Sequence, residues 1–357
     1  MIKSVTALIT FLLLIQSAMA IDSPACLASG GLDFICGPQN AEDLVLVPSS
    51  HWVLSSSMMP GGGIYLVNSI KKTWSQLYSQ KNKRAEHDKI AYANCPGAPD
   101  PESMITHGLN IQPGKEGHST LYAVSHGKRE AIEVFDVDAN KSVPELTWVG
   151  CILMPKGLAA NSVASFKDGS LVTTVLMYPD KTFDEIFSGI NTGAVYEWSP
   201  GDTGFNVIQG TELPGNNGIE ISADETEIFV VSTGLRAIVA FSRENPSKTL
   251  RTTRTMDFYP DNLHMTVDGQ LLAAGTSSFP AICSKLDTES ELKPKFLACP
   301  RGYIAGVIDP QTMKDTALFS GPANSAFTDI TMALSVGDEV WLGSFSGDRI
   351  AIINNQK

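Results

Sequence analysis

The chain has 357 residues, 43% of them apolar and 18% charged, with 38 acidic against 26 basic side chains for a formal net charge of −12. An acidic protein of pI near 4.9 is a poor partner for nucleic acid or an anionic membrane, both of which select positive patches. Six cysteines occur without a Cys-x-x-Cys pair or a Cys/His zinc spacing, which argues against a thiolate metal site.

Residues 1–20 read as an export signal. Lys3 supplies the positive start, Ala7 to Ile15 an apolar core, and Ala18-Met19-Ala20 a small-x-small cleavage site. The core is too short for a membrane span, and no later stretch is long and apolar enough to make one. Cleavage after Ala20 would leave 21–357 as a single domain in a secreted or periplasmic setting, where an even cysteine count favours disulfides. Sequence alone does not fix the pairing. Locally, Cys283 with Cys299 would staple one insertion and Cys26 with Cys36 comes next, which leaves Cys95 with Cys151.

Residues 21 to about 40 are small and polar and read as a lead-in, not as part of a repeat. From Glu42 onward one phrase recurs. A polar residue able to bind a metal heads a short apolar strand, a turn follows, and a second apolar run ends in small residues. The heads are Glu42, His107, Asn161, Asn217, Asp261 with Asn262, and Asp329, at spacings of about 45 to 67 residues. The first copy runs to about Leu77. The second runs to about Asp138 and includes the alternating strand Glu130 to Asp136, and the fourth, Asn217 to Ser242, is the cleanest. Insertions at 71–101, 178–192 and 277–297 are candidates for a lid over one face. Six copies of this size predict an all-β fold, a six-bladed β-propeller with four-stranded blades around a central channel.

In a propeller the innermost strands all face one axis, so the residues that head them converge from distant parts of the chain. Glu42, Asn161, Asn217, Asp261 and Asn262 offer two carboxylates and three amide carbonyls. That mixture suits calcium, which takes six to eight oxygens, better than zinc or magnesium. Each residue alone is an ordinary turn residue. Equivalent placement in successive repeats is what points to a site.

The ordered series Glu42-Asp43, His107-Gly108-Leu109, Asn161, Asn217-Gly218-Ile219 and Asp261-Asn262 resembles the paraoxonase-like calcium-dependent lactonases and, more distantly, the senescence-marker/gluconolactonase group. The resemblance covers nearly the whole chain after residue 20, in patches around each inner strand. It implies a channel Ca2+ ligated by those five residues, and hydrolysis of lactones and esters, in some members also of organophosphates. His107 with His126 resembles the family's water-activating histidine pair. A second, structural calcium is implied at Asp43, but the family's aspartate partner is replaced by Ser162, which leaves that site doubtful. The family's membrane-associating N-terminal helix has no match either.

The expected chemistry is attack on a metal-polarised carbonyl by water activated at His107 and oriented by His126, with Asp261 or Glu42 as alternative bases. There is no Gly-x-Ser-x-Gly elbow and no Gly-x-Gly-x-x-Gly loop. Two other classes fit the same residues: a calcium-dependent isomerase or lyase of a secondary-metabolite pathway, and a non-catalytic exported binding propeller. The expected partner is a small molecule, and the expected state a monomer or weak homo-oligomer.

Overall fold

The computed structural model describes residues 26–277 and 301–354. The expected export signal, the Cys283–Cys299 pair and nearly all of the 277–297 insertion lie outside those residues.

Six antiparallel sheets of four strands form a six-bladed β-propeller. A short strand, β1 (Asp33–Cys36), precedes blade one, which holds β2 (Leu44–Leu46), β3 (Trp52–Ser55), β4 (Ile64–Asn68) and β5 (Thr73–Leu77). Blade two holds β6 (Ile105–Pro113), β7 (His118–His126), β8 (Ala131–Asp138) and β9 (Glu145–Leu153). Blade three holds β10 (Val163–Ser165), β11 (Leu171–Val175), β12 (Ala194–Trp198) and β13 (Asn206–Val207), with the helix α1 (Phe183–Phe187) between its second and third strands. Blade four holds β14 (Asn216–Ile221), β15 (Glu227–Ser232), β16 (Ala237–Ser242) and β17 (Thr249–Thr252). Blade five holds β18 (Phe258–Met265), β19 (Leu271–Ser277), β20 (Tyr303–Ile308) and β21 (Asp315–Gly321). The last three strands, β22 (Ile330–Val336), β23 (Glu339–Ser344) and β24 (Arg349–Asn354), make most of blade six.

Blade six is completed from the other end of the chain. Strand β1 pairs with β24, Asp33 opposite Ile352 and Cys36 opposite Arg349. Residues 33–36 are therefore not a lead-in, as their polarity suggests, but the outer strand of a blade. Four residues between Gly30-Gly31 and Gly37-Pro38 are too few to show a period. What selects them is the open edge of β24, which would otherwise stay unpaired.

Each interface between neighbouring blades has its own apolar layer. Leu54, Ile64 and Leu66 of blade one meet Leu109, Leu121 and Phe135 of blade two. Leu44, Val53 and Val67 meet Trp341 and Ile350 across the closing interface. Strand segments such as Ile64-Tyr65-Leu66-Val67 are apolar at every position because both sheet faces are covered. Burying one such Leu or Ile contributes about 1.5–3 kcal/mol.

Two disulfides tie down connections. Cys26–Cys36 ties the segment before β1 to that strand's last residue, and Cys95–Cys151 fastens the long 78–104 connection to β9. Arg129 also donates from Nη1 to Gly97 O at 2.7 Å. Helix α1 opens with a capping box: Thr182 Oγ1 accepts from Glu185 N, and Glu185 Oε2 accepts from Thr182 N. Among the described residues no helix is long and apolar enough to cross a membrane.

Candidate metal centre and histidine pair

Alternating strand direction puts the starts of all inner strands at one end of the channel. The ends of the second strands, including His126 of β7, lie at the same end. Four of those starts are interrupted by a register shift, between Thr106 and Leu109, between Asn216 and Ile219, between Pro260 and Leu263, and between Ile330 and Met332. His107, Asn217 and the Asp261-Asn262 pair sit inside these bulges. A bulge turns a side chain away from the regular alternation and commonly does so beside a site.

Glycines let the inner strands touch there. A Cβ on Gly108 would stand 2.7 Å from Asn161 O, and one on Gly218 2.6 Å from Asp261 O. No side chain fits between these backbones. Hydroxyls of the second or inner strands then hold the next start: Thr174 Oγ1 donates to Asn217 O at 2.5 Å, Thr233 Oγ1 to Pro260 O at 3.1 Å, and Thr331 Oγ1 to Glu42 O at 2.5 Å.

Glu42, Asn161, Asn217 and Asn262 are brought together buried, with Asp261 partly exposed beside them. Asn262 Nδ2 donates to Glu42 Oε1 at 2.6 Å and Asn217 Nδ2 to Thr233 Oγ1 at 3.0 Å. Their oxygens are a different matter. Among the described residues, the buried side-chain carbonyl and carboxylate oxygens with no hydrogen-bond partner are Glu42 Oε2, Asn161 Oδ1, Asn217 Oδ1 and Asn262 Oδ1. An unmet buried acceptor costs about 1–3 kcal/mol, so these four oxygens, from four blades, each call for a partner from outside the chain. Oxygen donors of this kind suit a hard cation. Among the described residues no group of three or more His, Cys, Asp or Glu side chains is arranged to hold a metal ion by itself, and the donor set here is mostly amide.

The electrostatics agree. Glu42 is held well above the usual carboxylate range, first by burial and then by the charges of Asp43 and Asp261, against the Asn262 hydrogen bond. Burial pushes Asp261 up to about 7, with Asp43 adding and Asn217 and Arg301 opposing. A cation between them would reverse both effects.

The sixth strand head does not join this set. Asp329 accepts from Arg301 Nη2 at 2.8 Å and from Ser346 Oγ at 2.9 Å. Asp43 is likewise satisfied by protein. It accepts from Leu44 N and His264 Nε2 at Oδ1 and from Leu109 N at Oδ2, at 2.8, 2.7 and 2.7 Å. Neither Arg301 nor His264 was assigned a role from sequence. His264 stood inside an apolar strand phrase, and Arg301 lies far from Asp329 in the chain.

His107 Nδ1 lies 3.1 Å from His126 Nε2, and His107 Nε2 3.6 Å from Glu42 Oε1. Burial, and secondarily His126, pushes His107 down to about 3, so its contact with Glu42 is not an ion pair at neutral pH. Glu130 completes the row, its Oε2 at 2.6 Å from His126 Nδ1. Sequence placed Glu130 in an alternating strand; its only signal as a partner was its position four residues after His126.

No protein-family model and no curated protein sequence matches the chain. Solved structures do. A luciferin-regenerating enzyme has a TM-score of 0.52 and 12% identity, covering 90% of this chain and 93% of its own. A candidate gluconolactonase has a TM-score of 0.52 at 14% identity, covering 92% and 94%. Regucalcin, a calcium-binding protein of Agrobacterium tumefaciens strain C58, has a TM-score of 0.50 at 10% identity, covering 89% and 91%. At such identities the likeness speaks to the fold alone.

Proposed function

We propose that the protein is a calcium-dependent hydrolase of lactones or carboxylic esters, of the lactonase/arylesterase kind. The observation that carries this reading is the convergence of four partnerless buried oxygens and Asp261 beside a neutral histidine. The residue-by-residue resemblance to calcium-dependent lactonases supports it, as does a fold shared with a calcium-binding propeller.

Glu42, Asn161, Asn217, Asp261 and Asn262 would hold the ion. Calcium there supplies Lewis-acid stabilisation of negative charge on a carbonyl oxygen. His107 is neutral at working pH and takes a proton from the attacking water at Nε2. His126 orients His107 through Nδ1. Asp43 serves structure, with its oxygens committed to two amides and an imidazole.

We further propose residues 1–20 as an export signal, 21–357 as one domain, and a secreted or periplasmic location, which the two disulfides favour. The test of the activity is hydrolysis of a panel of lactones and aryl esters with calcium, then with excess chelator. Turnover that is lost on chelation and returns with calcium is expected; turnover indifferent to chelator, or none on any substrate, overturns the reading.

A further inference from the structure

His126 stands between two groups that together leave its neutral ring one tautomer. A carboxylate can only accept, so the hydrogen shared with Glu130 Oε2, 2.6 Å away, sits on His126 Nδ1. The neutral ring then keeps a lone pair on Nε2. That atom is 3.1 Å from His107 Nδ1, which must donate to it. His107 is left with its own lone pair on Nε2, the nitrogen that faces Glu42 Oε1 across 3.6 Å. Reversing the first bond would reverse every later one, and His107 would present a hydrogen to the channel instead of a lone pair.

We propose that Glu130 is a positioning residue that sets the tautomer of both histidines and so makes His107 Nε2 the open base of the site. The inference rests on the hydrolytic reading above and assigns a residue that the histidine pair alone does not require. The proton balance supports it. One proton passes from water to His107 Nε2, one passes from His107 Nδ1 to His126 Nε2, and the resulting imidazolium at His126 faces the Glu130 carboxylate. The charge thus comes to rest on the more exposed ring, since the His126 side chain is 17% exposed against 12% for His107. The other charged groups near His126 are already engaged: Arg129 with Glu133 and Lys128 with Asp100. Glu130 itself is 35% exposed, so its replacement should leave the fold intact.

The test is long-range nitrogen-15 spectroscopy of histidine-labelled, calcium-loaded full-length protein, wild type against Glu130→Ala and Glu130→Asp, with kinetics on the best lactone. Expected are Nδ1–H tautomers for both His107 and His126 in the wild type, and loss of that pattern at His126 in Glu130→Ala. kcat should fall about 10–100-fold with KM and melting temperature unchanged, below the full worth of a general base, and recover in part in Glu130→Asp. A wild-type His126 bearing hydrogen on Nε2, or tautomers and kcat unaffected by Glu130→Ala, overturns the proposal. A wild type that hydrolyses no lactone or ester removes the hydrolytic reading instead, and the tautomer spectra still decide what Glu130 sets.

Discussion

His264 Nε2 lies 2.7 Å from Asp43 Oδ1, joining blade five to blade one across the channel. Asp43 reaches blade two as well, through Leu109 N at 2.7 Å. Glu220 of blade four flanks His264 while accepting from Ile221 N and Met265 N. An ionisable cross-link thus spans the position where the paraoxonase resemblance implies a second ion, and Ser162 supplies no carboxylate for one. The charges of Asp43 and Glu220 favour the protonated form of that imidazole.

The cross-link should make stability depend on pH in a definite direction. Burial lowers the pKa of His264, but the Asp43 charge and hydrogen bond and the Glu220 charge outweigh it, and the net shift is upward. A group with a raised folded pKa contributes fully below its unfolded pKa, about 6.5 for histidine, and loses that contribution as pH rises through the folded value. In calcium-saturated protein the melting temperature should therefore decline as pH climbs above about 6.5. His264→Gln should be less stable at pH 6 and flatter through that range. Parallel melting curves for the two proteins from pH 6 to 9 would show the cross-link to be uncharged.

Protons and calcium should compete at Asp261. Its carboxyl, pushed up to about 7 chiefly by burial, must give up a proton to act as a ligand. Affinity should then fall with decreasing pH below about 7, by up to about tenfold per unit for each proton displaced. In chelator the sign reverses: a carboxyl with a raised folded pKa stabilises when protonated, so the apo protein should lose stability as pH rises from 4 to 7. Calorimetric titration in buffers of different ionisation enthalpy measures the released proton directly, and zero release at pH 6 contradicts the assignment.

Ligands and base should fail differently. Asn217→Ala removes one of the partnerless oxygens, so calcium affinity, melting temperature and turnover should drop together. His107→Gln should keep affinity and melting temperature while kcat falls about 10²–10⁴-fold. His126→Gln should cost less. Wild-type kcat in calcium-saturated His107→Gln on an aliphatic lactone would move the base to Asp261 or Glu42.

The two disulfides should differ in worth. Their cysteines are 56 and 10 residues apart, and constraint of the unfolded chain predicts about 4 kcal/mol for Cys95–Cys151 against about 3 for Cys26–Cys36. Paired serine variants, compared by denaturant unfolding, report the order. A larger loss for Cys26/Cys36 would mean that ring closure, not loop entropy, dominates.

The repeat was legible because it is a local pattern, a polar head before an apolar run, as in Asn217-Gly218-Ile219. The ring of oxygens was legible for the same reason. Strand β1 was not, since its partner lies at the far end of the chain. Asp329 resembled the other heads, yet its backbone is left-handed at φ 53° and its carboxylate belongs to Arg301. Bulges at His107, Asn217 and Asp261 leave no trace in composition, because register is fixed only when neighbouring blades close on one another. Glu130 and His264 carry ordinary identities; His264 gains its role through a contact that only the assembled ring creates, and Glu130 through the turn that brings it back to His126.

The pairing of β1 with β24 also orders events in time. About 300 residues separate the two strands, and closing a loop that long costs roughly 5 kcal/mol of chain entropy before any contact repays it. The first strand made must wait for the last, so the ring cannot lock while synthesis is under way. Until then β24's place is empty, Asn262 and Glu42 have no reason to meet, and the apolar sheet faces at the two ends of the open ring stay uncovered. The proposed metal centre, whose Glu42 and Asn262 come from blades one and five, would thus be a late product of folding, and calcium would find no site there until the ring exists.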